Sequence, residues 1–292
     1  RRNKIVTTDG EFFTLRRQLA RLQEEGVEVS WIAAQPVESL AERLAAVTDE
    51  GTAAVMVSTV LFRSARIVPG IAALAQKCEQ VGAILLLDVY HHLNVAPFSL
   101  GDPALAQAYV VGGGYKYCQL GEGNAFLRYP KHCQLRPVVT GWFAQFEQLD
   151  APPDSKVTYS DAASRFAGAT YDPTSHYRAA KVFDFFADMS LSVATLRAVS
   201  QHQIGLLCDE FDRADLDPRI IARDRGAALS DIAGFLALRA PSAARLVELL
   251  RQRGIWADSR GDVLRLGPAP YVSDQQLRDA AAALVDAVAM LG

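Results

Sequence analysis

The apolar residues of this chain fall into short, nearly continuous runs, separated by stretches in which they recur at helical spacing. Lys4 to Thr7, Val27 to Ile32, Ala53 to Val57, Ile84 to Leu87 and Ala108 to Val111 read as strands. Between them, Phe13 to Gln23 places Phe13, Leu15, Leu19 and Leu22 on one helical face. Val37 to Val47 follows Pro36, and a helix opening at Val68-Pro69-Gly70 runs through Cys78, each with proline near its first turn. Strand and helix alternate, and the strands are apolar throughout instead of every second residue. That pattern predicts an α/β fold built on a mainly parallel sheet with helices on both faces.

Further along, Ala125 to Arg128 reads as one more strand, and 145–164, with Ala151-Pro152-Pro153-Asp154, as a polar loop. A long helix is expected from Ser175 to Ala198, continuing through His202 to Phe211. From Arg225 onward the order is strand (Gly234 to Leu238), helix (Ser242 to Arg253), strand (Val263 to Leu266), helix (Ser273 to Met290). This predicts a large domain over 1–195 and a small C-terminal α/β domain over 196–292.

Composition narrows the functional classes. With 292 residues, half of them hydrophobic, the chain can bury a large core. Its net charge of −3 is spread along the chain, so no basic face points to nucleic acid. No apolar run approaches the roughly 20 residues needed to cross a bilayer. Cys78, Cys118, Cys133 and Cys208 lack metal-ligand spacing and read as free thiols of a reduced cytoplasm. Arg1-Arg2-Asn3-Lys4 runs straight into Ile5-Val6 without a targeting segment, so the sequence is expected to start inside a domain whose N-terminal part is missing.

Candidate chemistry concentrates at strand ends. Ile84 to Leu87 terminates in Asp88, followed by Val89-Tyr90-His91, and the Gly112-Gly113-Gly114 turn leads into Tyr115-Lys116-Tyr117. Ser58, Asp88 and Lys116 thus converge beyond the carboxyl ends of three strands, where α/β sheets bind ligands. A turn lysine is ordinarily a solvated charge, but one flanked by two tyrosines after an apolar strand is poorly placed for solvation. Desolvation lowers its pKa and frees the amine as a nucleophile. A carboxylate facing a lysine suits pyridoxal phosphate (PLP), which needs a Schiff-base lysine and a carboxylate on its pyridine nitrogen. His91 and His92 lack a third ligand at metal spacing, so no metal is expected and His91 is assigned to support Asp88 or the cofactor. No GxSxG elbow, Walker A loop or complete GxGxxG is present. Gly141-Trp142-Phe143 and Gly168 to Pro173 read as core and turn, yet hold donors that suit a phosphate. Arg265 lies inside an apolar strand, where its guanidinium needs either Asp258 or a substrate carboxylate.

Together these pieces resemble kynureninase, within the fold type I, class V aminotransferase-like PLP enzymes. The resemblance rests on Lys4-Ile5-Val6 with Phe12, Asp88-x-x-His91, Tyr115-Lys116, Gly141-Trp142-Phe143, the Gly168 to Pro173 turn, and Asp258-x-Arg260 leading to Leu264 through Tyr271. It implies a sheet of the seven-stranded type. It also implies Lys116 as the Schiff-base lysine, Asp88 on the pyridine nitrogen with His91 in support, and Phe12 stacked on the ring. Tyr115 is implied as a phosphate contact and proton donor, Trp142 and Thr170 as phosphate ligands across a homodimer interface, and Arg265 as the substrate carboxylate's partner. The implied reaction is hydrolysis of the Cβ–Cγ bond of a kynurenine in tryptophan catabolism, giving an anthranilate-type acid and alanine. Leu15 departs from the pattern, because the family carries an aspartate there. The alternatives are an aminotransferase, a cysteine desulfurase, or a degenerate member that only binds. Desulfurases require a mobile catalytic cysteine on a loop, and none of the four cysteines reads as one. Intact Asp88, Lys116 and Arg265 argue against degeneration.

Overall fold

The computed structural model describes residues 2–150, 156–161 and 163–291. Six strands form the larger sheet: β1 (Lys4–Thr8), β2 (Glu28–Ile32), β3 (Thr52–Ser58), β4 (Ile84–Asp88), β5 (Tyr109–Gly113) and β6 (Ala125–Arg128). Their order is β2-β1-β3-β4-β5-β6, parallel except for the antiparallel β5–β6 pair. Among the described residues this is one strand fewer than the seven-stranded type expected, and neither β2 nor β6 has an outer partner.

Helices α1 (Phe13–Glu24), α2 (Leu40–Val47) and α3 (Ile71–Val81) cover this sheet. Strand periodicity divides the core between its two faces. Val6, Val55, Val57, Leu85 and Leu87 pack against α2 and α3, whereas Ile5, Val29 and Met56 meet Leu15 and Leu19 of α1. The first turn of the expected Val37–Val47 helix is a tighter 3₁₀ turn, Val37–Ser39. Gly82 ends α3 in the left-handed region at φ 67°, and Ala83 N–H returns to Cys78 O at 2.8 Å. That closure aims the chain directly into β4.

The long helix expected from Ser175 is two helices, α4 (Thr174–Asp188) and α5 (Val193–Arg213). The break has a local cause. Ser190 takes a positive φ of 55°, and the Ser192 hydroxyl accepts from Thr195 N–H at 3.1 Å, so two serines that could have sat on a helix face instead end one helix and cap the next. Of the expected loop at 145–164, residues 151–155 and 162 lie outside the described residues. Its flanks form short 3₁₀ turns, Trp142–Gln148 and Ala163–Phe166.

The second sheet, order β7-β8-β10-β9, is antiparallel: β7 (Ala222–Arg223), β8 (Leu236–Arg239), β9 (Asp258–Arg260) and β10 (Val263–Leu266). Helix α5, with α6 (Ala243–Arg251) and α7 (Asp274–Ala289), covers one face. Leu238 and Leu264, paired across β8 and β10, are fully buried beneath Leu246, Leu249 and Leu250. Period two sends Arg265 to the other face, toward the large sheet. The expected division after residue 195 falls in the first turn of α5. Between the two sheets, Ala233 N–H donates to Ala65 O at 2.8 Å, Ile67 N–H to Asp231 O at 2.9 Å, and Arg63 pairs with Asp262 at 2.6 Å.

Leu264→Ala leaves a cavity between sheet and helices and is expected to cost about 2–5 kcal/mol, read by urea denaturation. Val263→Ala, on the half-exposed side of the same strand, is expected to cost far less.

Candidate functional site

Three strand ends build the site. Ser58 ends β3 and Asp88 ends β4, as register partners, and β5 delivers the chain to Lys116. The strands that carry them are mainly apolar, and Leu85 and Leu87 of β4 are buried in the core with α2 and α3, so a polar residue at their tips stands at the margin of a dry core. Asp88 accepts from Tyr90 N–H at 2.9 Å, and its carbonyl accepts Thr59 N–H at 2.9 Å. Burial pushes its carboxyl above the ordinary range. The Tyr90 hydrogen bond and the positive charge of Lys116 offset this only in part.

The glycines before Lys116 act through size. Gly112 and Gly113 belong to β5, and none of Gly112, Gly113 and Gly114 has a positive φ. A Cβ on Gly113 would lie 2.3 Å from the Tyr90 ring, and one on Gly114 would lie 2.3 Å from the Leu120 side chain. The expected glycine turn is therefore a strand end at Gly112 and Gly113 passing into a turn at Gly114, with no room for side chains. It lets Tyr90 and Leu120 close over the backbone while Lys116 turns back toward Asp88. Lys116 Nζ stands 4.9 Å from the Tyr115 ring centre and 5.9 Å from that of Phe12. Burial, aided by the charge of Arg265, holds its ammonium below the usual lysine range.

Lys116 stands where three cavities meet. The first, about 300 Å³, is lined by Phe12, Ser58, Asp88, His91, Tyr115 and Lys116. Leu15 lines it as well, so the departure from the family pattern lies inside the site. The second, about 680 Å³, is mainly apolar, and the third, about 330 Å³, opens toward Arg265. His91 sits between Phe62 and Phe235 at 6.5 and 6.4 Å and forms no hydrogen bond to Asp88. Burial, with the positive charges of Lys116 and Arg265, pushes its pKa down to about 3. His91 is thus a neutral wall of the cavity. His92 is structural, bridging Thr59 Oγ1 and Pro97 O at 3.0 Å each.

Arg265 forms the ion pair that its β9 partner Asp258 offers, donates to Phe62 O at 2.7 Å and lies 5.1 Å over the Phe235 ring. Its Nε is buried without a partner. Both sequence readings therefore meet at this residue: it is paired structurally and still faces the cavity shared with Lys116. Trp142 and Thr170 are not brought to Lys116. Trp142 packs on Phe143 and Phe146, Thr170 is exposed, and neither lines the cavities around the lysine.

Sequence reasoning missed Glu11, which is fully buried. Both its oxygens accept Ser58 N–H at 3.1 Å, and Oε2 also accepts from Ser58 Oγ at 2.5 Å. Burial, with the nearby negative charge of Asp88 adding to it, raises its pKa to about 7 against the lowering by Ser58. Only the apolar residues around it, Phe12 and Phe13, hinted that this turn faces inward.

No family model matches the chain, and no curated protein matches it. Solved structures do. A cysteine desulfurase from Thermococcus onnurineus NA1 superposes with a TM-score of 0.79 at 16% identity, over 99% of this chain and 74% of that one. A NifS-like protein gives 0.75 at 15%, over 99% and 76%. The cysteine desulfurase CsdA from Escherichia coli gives 0.76 at 15%, over 99% and 71%. The fold is fold type I. Two of these structures are named cysteine desulfurases and the third a NifS-like protein, and the expected likeness to kynureninase in particular finds no support among them. Among the described residues no helix is long and apolar enough to cross a membrane.

Two outcomes test this geometry. Gly113→Ala forces the Tyr90 ring aside and is expected to cost about 1–3 kcal/mol, measured by thermal melting. Glu11 favours the folded state fully below its unfolded pKa of about 4.5, and this contribution fades as pH rises to about 7. Stability relative to Glu11→Gln should therefore fall across that window and level off above it, as read by urea titrations at several pH values.

Proposed function

We propose that the chain is a PLP-dependent enzyme acting on a free α-amino acid, and the observation that carries this is Lys116 facing Asp88 across a cavity walled by Phe12. The residues fit the cofactor. A desolvated carboxylate whose one nearby cation, among the described residues, is the site lysine gains most from a second cation, which a protonated pyridine nitrogen would supply. Phe12 offers a flat apolar face, and Lys116 is held where its amine loses its proton readily. When bound, PLP supplies an electron sink that stabilises negative charge on the substrate α-carbon.

The chain's own groups do the rest. Lys116 would hold the cofactor through Nζ, and the same nitrogen would take up the α-proton of the substrate. Asp88 keeps the ring nitrogen protonated. Tyr115 stands beside Lys116 to hand on a proton. Arg265, which lines a cavity together with Lys116, would hold the substrate carboxylate beside its bond to Asp258. Trp142 and Thr170, exposed here, are assigned to the phosphate in the partner site of a homodimer.

The finer reading concerns the bond broken at Cβ. For a kynurenine-type substrate, the support is the second cavity beside Lys116. Its walls include Phe185, Phe186, Leu196 and Pro268, and on them sits Gln203, whose Nε2 donates to Ala269 O and Val272 O at 2.9 and 3.0 Å. Those bonds fix the amide, leaving Oε1 buried without a partner, an acceptor suited to an aryl amine. Cysteine desulfuration is the second reading, and the names of the solved structures favour it over Cβ–Cγ hydrolysis. Against it stand the thiols. Cys78, Cys133 and Cys208 are buried, and burial pushes the half-buried Cys118 away from the reactive thiolate form.

The test is PLP binding by the purified protein, borohydride reduction and peptide mapping, followed by turnover. A visible absorption band and a pyridoxyl group on Lys116, lost in Lys116→Ala, are expected. Asp88→Asn should still take the label but lose most turnover. Kynurenine giving an anthranilate-type acid and alanine supports the first reading, and cysteine giving sulfide and alanine the second. A protein that stays colourless and unlabelled overturns both.

A further inference from the structure

Glu11 is a buried acid with no cation beside it, and burial of a lone carboxyl is costly. Its surroundings say what the cost secures. Strand β1 pairs with β3 only as far as Val6 with Val55, so Ser58, three residues on, has no strand neighbour on that side. Glu11 takes that place. Ser58 presents an N–H and an O–H in the same direction, and a carboxylate is the side chain that accepts both at once. On its other side, Ser58 is the register partner of Asp88, whose carbonyl is held by Thr59 N–H. One short strand end therefore links Glu11 to Asp88. The residue after Glu11 is Phe12, whose ring meets Phe62 edge-on at 5.3 Å and whose face fronts Lys116.

We propose that Glu11 is a positioning residue: by gripping Ser58 through both carboxyl oxygens, it clamps the turn that carries Phe12 to the strand end beside Asp88. The inference rests on the reading above that Phe12 and Asp88 bracket the cofactor ring, because the clamp fixes the gap between the stacking face and the carboxylate. Without it, the turn after β1 keeps its backbone bonds and three local side-chain bonds, Gly10 N–H to Thr8 Oγ1 at 3.1 Å, Arg16 to Asp9 O at 3.3 Å and Ala34 N–H to Asp9 at 2.8 Å, none of which reaches Ser58.

The experiment compares the wild-type protein with Glu11→Ala, Glu11→Gln and Ser58→Ala. Amide hydrogen exchange is measured first without cofactor, then PLP affinity and the visible circular dichroism of bound PLP. In Glu11→Ala, exchange over 9–14 and at Ser58 should rise by about tenfold or more, while 52–57 and 84–87 stay protected. PLP affinity should fall by about tenfold and its visible dichroism should shrink, because the ring is no longer held at one angle. Glu11→Gln, which keeps one acceptor, should restore most of both signals, and Ser58→Ala should shift them in the same direction by less. Unchanged exchange in Glu11→Ala overturns the clamp. So does a loosening of the whole sheet that Gln fails to rescue, which would make Glu11 a core residue only. If the wild-type protein takes up no PLP, the cofactor reading fails, while the exchange data alone still decide whether Glu11 holds the turn.

Discussion

Asp88 is a carboxylate withheld from water at the tip of an apolar strand, answered by one backbone N–H and one distant amine. The rest of the site follows from that imbalance. A carboxyl in such a place drifts toward its neutral form unless a cation arrives, and the residues around it are arranged to receive one. Phe12 supplies a flat wall, Lys116 comes from the opposite side with its own charge weakened by burial, and His91 stays neutral so as not to compete. The parallel sheet makes this affordable to the fold, because the desolvated atoms all collect beyond its carboxyl edge while β3 and β4 remain wholly apolar inside.

The second sheet contributes by alternation. Leu264 and Arg265 are neighbours in sequence, yet one is sealed under α6 and the other reaches across to Phe62. A one-residue slip of β10 would place the guanidinium in the leucine core and the leucine in the cavity. Cross-strand pairing with Asp258 pins that register and keeps Arg265 extended toward Lys116. A structural ion pair and a ligand-binding role are therefore compatible here. The same pair orients the fork at the edge of the cavity that Arg265 shares with Lys116.

Much of this was legible in the sequence because it is local. Strand and helix alternation, the carboxylate ending an apolar run and the lysine between tyrosines all depend on residues within a few positions of one another. What stayed hidden depends on tertiary contacts. Glu11 reads as an ordinary polar turn residue, since only the approach of β3 removes it from water. The glycines before Lys116 suggest a flexible turn, whereas rings and side chains from elsewhere in the chain set their size limit. β7 and β9 are two and three residues long with little apolar content, too short for periodicity to register. At Ser190 and Ser192 helical spacing persists across a real break, because two small polar residues can satisfy either a helix or its caps.

Fold and chemistry separate at the thiols. Solved structures named as cysteine desulfurases share this architecture at 15–16% identity, a level at which the scaffold persists while pocket walls are free to change. Moving sulfur off a substrate demands a thiolate that can reach the reacting atom; here Cys78, Cys133 and Cys208 are buried, Cys133 in a loop where its sulfur accepts from the Tyr109 hydroxyl, and burial pushes the Cys118 thiol up. A hydrolytic cleavage at Cβ demands no such group. What it needs is room beside the lysine for a bulky leaving portion and an acceptor to orient it. Under the proposed reading, the apolar cavity and the unpartnered oxygen of Gln203 answer that need, while the names of the solved structures that share the fold favour the other leaving group.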